Sequence, residues 1–264
     1  MLQVENLSFV YHPGSFGEIQ ALDRIDLSLG DAEFAAVIGS NGAGKTTLFN
    51  LIAGVLPVQT GRIAIDGIEV NRLAEYRRAA GVGRVFQDPR LGTAAQMTIA
   101  ENLTLAELRG QPLKLKMGVT ARRKAAFQEL VAPLGLGLER RLDERVASLS
   151  GGQRQALTLL VATLTRPKIL LLDEHTAALD PATAIKILDL TRSVVSEKRL
   201  TTLMITHNMQ LALDFGSRLL MMDQGKIVLD LSAAQKSGMA VQDLVNLFQE
   251  VKHERLTSDE LLLT

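Results

Sequence analysis

The chain has 264 residues, with 29 Lys+Arg balanced by 29 Asp+Glu, four histidines and no cysteine. The balance excludes a global field that would gather nucleic acid or an anionic membrane, and the missing thiols exclude disulfides and thiolate metal sites. The length supports a sizeable core in one large or two small domains, while apolar runs such as Ile169–Leu172 and Leu219–Met222 fall far short of the roughly 18 residues needed to span a bilayer.

The opening Met1-Leu-Gln-Val-Glu-Asn lacks a basic region followed by an apolar one. No signal peptide is expected, and the expectation is a soluble, cytoplasmic protein. Leu2 to Tyr11 alternates as a strand, and Ile19 to Leu29 reads as one or two more. The turn-rich His12-Pro-Gly-Ser-Phe-Gly lies between them. Tyr11, at the end of the first strand, suits either stacking on a purine or a half-buried strand position.

Glu33 to Ile38 is a short apolar strand, and Thr46 to Ala53 a helix with leucines and isoleucine on one face. Between them, Gly39-Ser40-Asn41-Gly42-Ala43-Gly44-Lys45-Thr46 matches G-x-x-x-x-G-K-[ST], the phosphate-binding P-loop. Its glycines let successive N–H groups converge on one phosphate. The helix N-terminus adds partial positive charge. Lys45 would reach the β- and γ-phosphates, and the Thr46 hydroxyl would ligate Mg²⁺.

Gly61 to Gly67 reads as a strand ending in an Asp-Gly turn. Arg72 to Ala80 reads as a short polar helix, and Gly81 to Phe86 as a strand delivering Gln87 ahead of Asp88-Pro89. From Arg90 to about Thr165 the period becomes helical. Thr98-Ile-Ala-Glu101 forms a capping box for a helix through Leu108. Gly110 to Thr120 is a loop, Thr120 to Leu134 a second helix, and Leu138 to Val146 a short third one. Arg122-Arg123-Lys124 reads as a solvated face rather than a nucleic-acid site. Ser150-Gly151-Gly152-Gln153 opens a long helix to Leu164 with capping-box spacing. Two glycines there leave N–H groups bare for an anion.

Ile169-Leu-Leu-Leu-Asp173-Glu174 suits a strand buried on both faces of a parallel sheet. Its terminal carboxylates fall at the ligand-binding edge of such a sheet. Asp173 would hold Mg²⁺ through water, and Glu174 would activate the attacking water. Pro181 to Glu197 is an amphipathic helix with proline in its first turn. Leu200 to Ile205 is a strand ending at Thr206-His207, and Asn208 caps a helix from Met209 to Phe215. Arg218 to Met222 and Lys226 to Leu229 form a hairpin around Gln224-Gly225. A tail from Ser232 carries a helix from Val241 to Val251 and ends polar around Leu261–Leu263. His12, His175 and His253 read as structural or solvated. His207 differs because it stands at a strand end in the same sheet as Asp173.

The order of these motifs resembles the ATP-binding-cassette (ABC) ATPase: the P-loop, Gln87, Leu149-Ser-Gly-Gly-Gln153, Leu171-Leu-Asp173-Glu174, Ala178-Leu-Asp180 and His207. The resemblance runs from about Leu2 to Leu231. It implies an α/β fold: a P-loop NTPase core with a mixed sheet, an antiparallel β subdomain and an inserted α-helical subdomain. The expected parts are a nucleotide-binding core at 1–89 and 165–231, a helical subdomain at 90–164, and a short tail at 232–264. The cofactors implied are ATP and Mg²⁺.

By the same resemblance, Tyr11 stacks on adenine and residues from Gly39 to Thr47 bind the phosphates. Gln87 contacts Mg²⁺ and the attacking water, Glu174 is the general base, and His207 contacts the γ-phosphate. Asp180 belongs to a loop crossing a dimer interface. ATP is sandwiched between the P-loop of one subunit and Ser150–Gln153 of another. His175, Ala156 and Val161 depart from a proline and two arginines common in the family.

The run Asp173-Glu-His-Thr-Ala-Ala-Leu-Asp-Pro, with Ile205-Thr-His-Asn-Met, resembles a transporter-ATPase subgroup. Its permeases are similar to those for branched-chain amino acids, and some members are linked to aromatic amino acids. The resemblance implies the energy-coupling subunit of an importer on the cytoplasmic face of the membrane. Its partners would be a second ATPase subunit, integral-membrane permeases and an extracytoplasmic solute-binding protein, with no nucleic acid. A groove near Gln87 and Arg90–Leu108, with apolar Leu91, Met97 and Leu103, would receive a permease helix. The alternative is a soluble non-transport ABC ATPase such as a cluster-assembly factor.

Overall fold

The computed structural model describes residues 1–111 and 118–250. His253, the Leu261–Leu263 stretch and the last residue of the expected tail helix lie outside the described residues, as does most of the Gly110–Thr120 loop.

Leu2–Tyr11 (β1) and Ile19–Leu29 (β2) pair antiparallel, and β2 is a single strand. Thr60–Ile65 (β4) pairs with the other edge of β1, and the Asp66-Gly67 turn returns the chain as Ile68–Glu69 (β5). These make a four-stranded antiparallel sheet in the order β2-β1-β4-β5.

Phe34–Gly39 (β3) belongs to a second sheet. It lies between Thr201–Ile205 (β8) and Arg218–Asp223 (β9), parallel to both. Ile169–Asp173 (β7) pairs with β8, and Val82–Val85 (β6) with β7, again parallel. Lys226–Ser232 (β10) closes the other edge antiparallel, through the turn at Gln224-Gly225. The six strands run β10-β9-β3-β8-β7-β6. The buried apolar residues of β3, β7 and β8 suit central strands covered on both faces.

Lys45–Ala53 (α1) packs between the two sheets. One apolar cluster joins Leu48, Phe49, Leu51 and Ile52 of α1 to Leu2, Leu7, Leu22 and Ile63 of the small sheet and to Ile169, Leu171 and Leu203 of the large one. A second cluster covers the opposite face with Leu170, Leu172, Val195, Ala212 and Phe215. Here lie Pro181–Lys198 (α6) and Met209–Asp214 (α7), the latter capped by Asn208. A third cluster lies wholly between Ile99 and Val161. It joins Ile99–Glu107 (α3), Ala121–Val131 (α4) and Gly151–Thr163 (α5). Both expected capping boxes form, Thr98 with Glu101 and Ser150 with Gln153.

Several elements are shorter than the periodicity suggests. The helix expected over Arg72–Ala80 is only Glu75–Arg78 (α2), because buried Arg78 turns inward to donate to the carbonyls of Leu51, Leu73 and Asn71. The second helix ends at Val131 and tightens to a 3₁₀ turn at Ala132–Leu134, which contains Pro133. The expected third helix is instead two 3₁₀ turns, Leu138–Arg140 and Val146–Ser148. The tail continues through Ala233–Lys236 (α8) to a helical stretch at 241–250.

Candidate nucleotide site

The cleft forms where β3 ends and α1 begins. Gly39 has φ 151°, and a Cβ there would meet the Met222 carbonyl oxygen at 2.1 Å. Gly44 has φ 98°, and its Cβ would meet the Ala21 carbonyl oxygen at 2.4 Å. Only glycine fits both positions, so the loop can hug β9 and β2. Gly44 caps α1 without a side-chain hydrogen bond, leaving the first-turn donors of α1 to the cleft.

A cavity of about 320 Å³ lies above this loop. Its walls are Tyr11, Ile19 and Ala21 on one side, Asn41 to Thr47 below, and Glu174 and His207 on the other. Lys45 is nearly buried, and its ammonium donates to the carbonyls of Gly39 at 2.7 Å and Ser40 at 2.8 Å. Burial pushes its pKa down, opposed by the charges of Glu174 and Asp173. Ser40 is held by its hydroxyl donating to Asp223 at 3.1 Å. The Tyr11 hydroxyl lies 3.3 Å from that of Thr47, and its ring meets Phe9 edge-on. Thr46 is exposed at the head of α1.

Strand ends carry the acids. Asp173 closes β7, and Glu174 follows with φ 43° and its N–H donating to the Ile205 carbonyl. That positive φ at a non-glycine residue turns the Glu174 side chain off the strand and toward the cleft. His207 follows β8, and its Nε2 lies 2.5 Å from Glu174 Oε1. The register of β7 beside β8 makes this pair, because Asp173 stands opposite Ile205.

Other sequence-derived residues stand apart from the cavity. Gln87 is exposed beyond β6 and does not line it. Ser150 is an exposed N-cap on α5, whose Gly151 and Gly152 lie against Leu179 and Thr183 near the start of α6. The Gln153 amide is engaged within the helical block, accepting from Arg141 and donating to the Leu136 carbonyl. Asp180 caps α6, accepting from the Thr183 N–H at 3.0 Å, and the Thr183 side chain together with that N–H holds its carboxyl below the usual range. Ser150–Gln153 do not line the cavity above the P-loop.

Of the apolar groove residues, Leu91 and Met97 are exposed, but Leu103 is 0% exposed. Leu103 belongs to the helical core, because it lies on the inward face of α3 with Ile99 and Ala106. Leu105, on the other face, is exposed instead. His175 is structural, as expected: it is buried and its Nε2 lies 3.0 Å from Thr191 Oγ1. Burial pushes its pKa down to about 4.

Two neighbours escaped the sequence reading. Arg84 of β6 pairs with Asp173 at 3.0 Å. Its signal was a lone charge in an otherwise apolar strand. The other is the β2 wall, Ile19 and Ala21, for which the pattern of the chain offers no signal.

Residues 22–177 match the family model described as ABC transporter, more than half of the chain. The tyrosine transport ATP-binding protein of Clostridioides difficile is 44% identical over 94% of this chain and 99% of its own. The energy-coupling factor transporter ATP-binding protein EcfA2 of Clostridium perfringens is 30% identical over 100% of this chain and 94% of its own. A dimeric ATP-binding cassette solved in a post-hydrolysis state with ADP and Pi matches with a TM-score of 0.74 and 28% identity, over 88% of this chain and 99% of that one. With this fold and this cleft, the chain belongs to the ABC transporter family as an ATP-binding subunit.

Proposed function

We propose that this chain hydrolyses ATP, with Mg²⁺, to drive a membrane importer of a small solute, and that the solute is an amino acid. The observation that carries the catalytic part is the Glu174–His207 pair facing Lys45 across one cleft. Glu174 is the general base: it takes a proton from the water that attacks the γ-phosphorus as the bond to the ADP oxygen breaks. His207 holds Glu174 in place and donates to the γ-phosphate. Lys45 leaves the Gly39 and Ser40 carbonyls to bind the β- and γ-phosphates. Residues from Gly39 to Thr47 cradle those phosphates, and Tyr11 and Ile19 cover the base.

The donor set suits Mg²⁺. Thr46, Asp173 and Gln87 offer oxygens alone, and among the described residues no group of three or more His, Cys, Asp or Glu gathers around a point. A hard cation held chiefly by phosphates and one or two protein oxygens needs no more. When bound, Mg²⁺ would neutralise charge building on the transferred phosphoryl group.

Ser150–Gln153 and Asp180 act on the nucleotide of a second copy. The solved dimeric relative supports that reading. We divide the chain into a core (1–89 and 165–231), a helical subdomain (90–164) and a tail (232–264). The self-contained cluster between Ile99 and Val161 supports the middle boundary pair. Leu91, Met97 and Leu105 suit contact with a permease on the cytoplasmic face. Among the described residues no helix is long and apolar enough to cross a membrane, and the transport ATP-binding relatives support pairing with separate permeases. Similarity over nearly all of the tyrosine transport relative makes aromatic amino acids the solutes to test first.

The test is purification of tagged Glu174→Gln protein from its own cells, in mild detergent with ATP. Recovery of a multi-span membrane protein and an extracytoplasmic binding protein is expected. Soluble partners alone, with the membrane fraction empty, would move the chain to a cluster-assembly type of role.

A further inference from the structure

Strand β6 is short and mostly buried, and Arg84 is its one charged residue. It stands opposite Leu171 of β7, with Val85 opposite Leu172. Val82, Ile169 and Leu171 join the cluster against α1, while Val85, Leu170 and Leu172 join the other face. The alternation therefore turns Arg84 toward α1, the same face as Asp173.

There the guanidinium meets three elements at once. Nη1 donates to Asn50 Oδ1 of α1 at 2.7 Å, and Nη2 to Asp173 Oδ2 at 3.0 Å. Its central carbon lies 4.6 Å from the Phe86 ring centroid. The two paired side chains are 11% and 14% exposed, and Nε is buried with no hydrogen-bond partner. Removing a guanidinium from water at such a position is unfavourable unless an anion compensates. Here that anion is Asp173. The three elements are those that carry Thr46, Gln87 and Asp173: Asn50 is one turn beyond Thr46, and Phe86 directly precedes Gln87.

We propose that Arg84 is a positioning residue that acts as the resident counter-charge of Asp173. It holds the carboxylate in place without metal and lowers the site's affinity for a divalent cation. The metal then arrives and leaves with the nucleotide instead of staying on the protein. This inference rests on the reading of Asp173 as an Mg²⁺ ligand. Its physical basis is that a fixed positive charge at hydrogen-bond distance competes for the same carboxylate charge that attracts the metal.

The test uses Mn²⁺ as the probe, read by electron paramagnetic resonance on the ADP-loaded full chain. Arg84→Met is expected to bind Mn²⁺ about fivefold tighter or more, and Arg84→Lys, which keeps the charge, to stay within about twofold of wild type. Equal or weaker Mn²⁺ binding by Arg84→Met overturns the proposal. Arg84→Gln keeps hydrogen bonding while losing the charge, and carries the same expectation should Arg84→Met fail to fold. Nucleotide-free wild type supplies a measurement without any variant: micromolar Mn²⁺ binding that Asp173→Asn removes would also overturn the proposal. If Asp173→Asn leaves Mn²⁺ binding to the ADP-loaded chain unchanged, it is the reading of Asp173 that fails.

Discussion

The start of α1 and the start of α5 are both glycine-rich helix N-termini, and they are built differently. At α1, Gly44 provides no side-chain cap and the bare donors face a cavity walled by Lys45, Glu174 and His207. At α5, Ser150 and Gln153 cap each other, the serine is exposed, and no titratable side chain of the cavity stands opposite. In the proposed function the α1 end is the phosphate cradle of the single chain. The other is a finished surface whose ligand has to come from outside. On the function proposed above, this contrast lets one chain hold the nucleotide while a second copy closes the site.

The largest expected effect separates chemistry from binding at the α1 end. Glu174→Gln should lower ATP turnover by roughly 10²–10⁴-fold while leaving nucleotide binding intact, measured by phosphate release and by equilibrium binding. Normal turnover would remove Glu174 as the base. Next, Lys45→Ala should weaken ATP binding by about 10–100-fold, from loss of a charge-assisted contact. Gly151→Asp should leave that binding by the single chain unchanged and abolish cooperative turnover. Equal losses of binding in both variants would erase the distinction between the two helix ends.

Much of this contrast was legible in the sequence because it is local. The P-loop, the two capping boxes and the Asp173-Glu174 strand end each lie within a few residues, where spacing and geometry are linked. The pairing of Arg84 with Asp173 spans 89 residues and depends on which strands are neighbours, which periodicity does not reveal. Leu103 and Leu105 differ only in the face of α3 they occupy, and a helix buried on one side shows this only once its neighbours are placed. The 3₁₀ turns after Val131 replace regular helix because Pro133, Gly135 and Gly137 interrupt it, a breaker signal that helical spacing alone overran.

Stability should follow the same division between buried and exposed features. The Thr191 hydroxyl donates to the Ile187 carbonyl, which leaves its oxygen to accept from His175 Nε2, and burial keeps the imidazole neutral in the fold. Its pKa of about 4 lies below the unfolded value near 6.5. The unfolded chain therefore binds the extra proton first as pH falls. Stability from this group is present above about pH 6.5 and declines down to about pH 4, with roughly 2 kcal/mol lost by pH 5. Denaturant unfolding of wild type and His175→Gln across that range should show the steeper slope in wild type, the difference between them being greatest between about pH 6.5 and 5.

The smallest effect concerns a cap with no ligand to serve. Thr98→Ala should cost about 1 kcal/mol of stability and leave turnover unchanged. Ser150→Ala should cost a similar amount and also weaken the ATP-dependent dimer. If neither substitution, or both, disturbed ATP-dependent association, α5 would be no different from α3.

The most direct measurement is sedimentation velocity of the Glu174→Gln chain with Mg²⁺-ATP, alone and with Ser150→Arg added. The two-ended site predicts monomer without nucleotide, dimer with ATP, and monomer with ATP bound once Ser150→Arg is present. A chain that stays monomeric while binding ATP, or a dimer indifferent to Ser150→Arg, would contradict it.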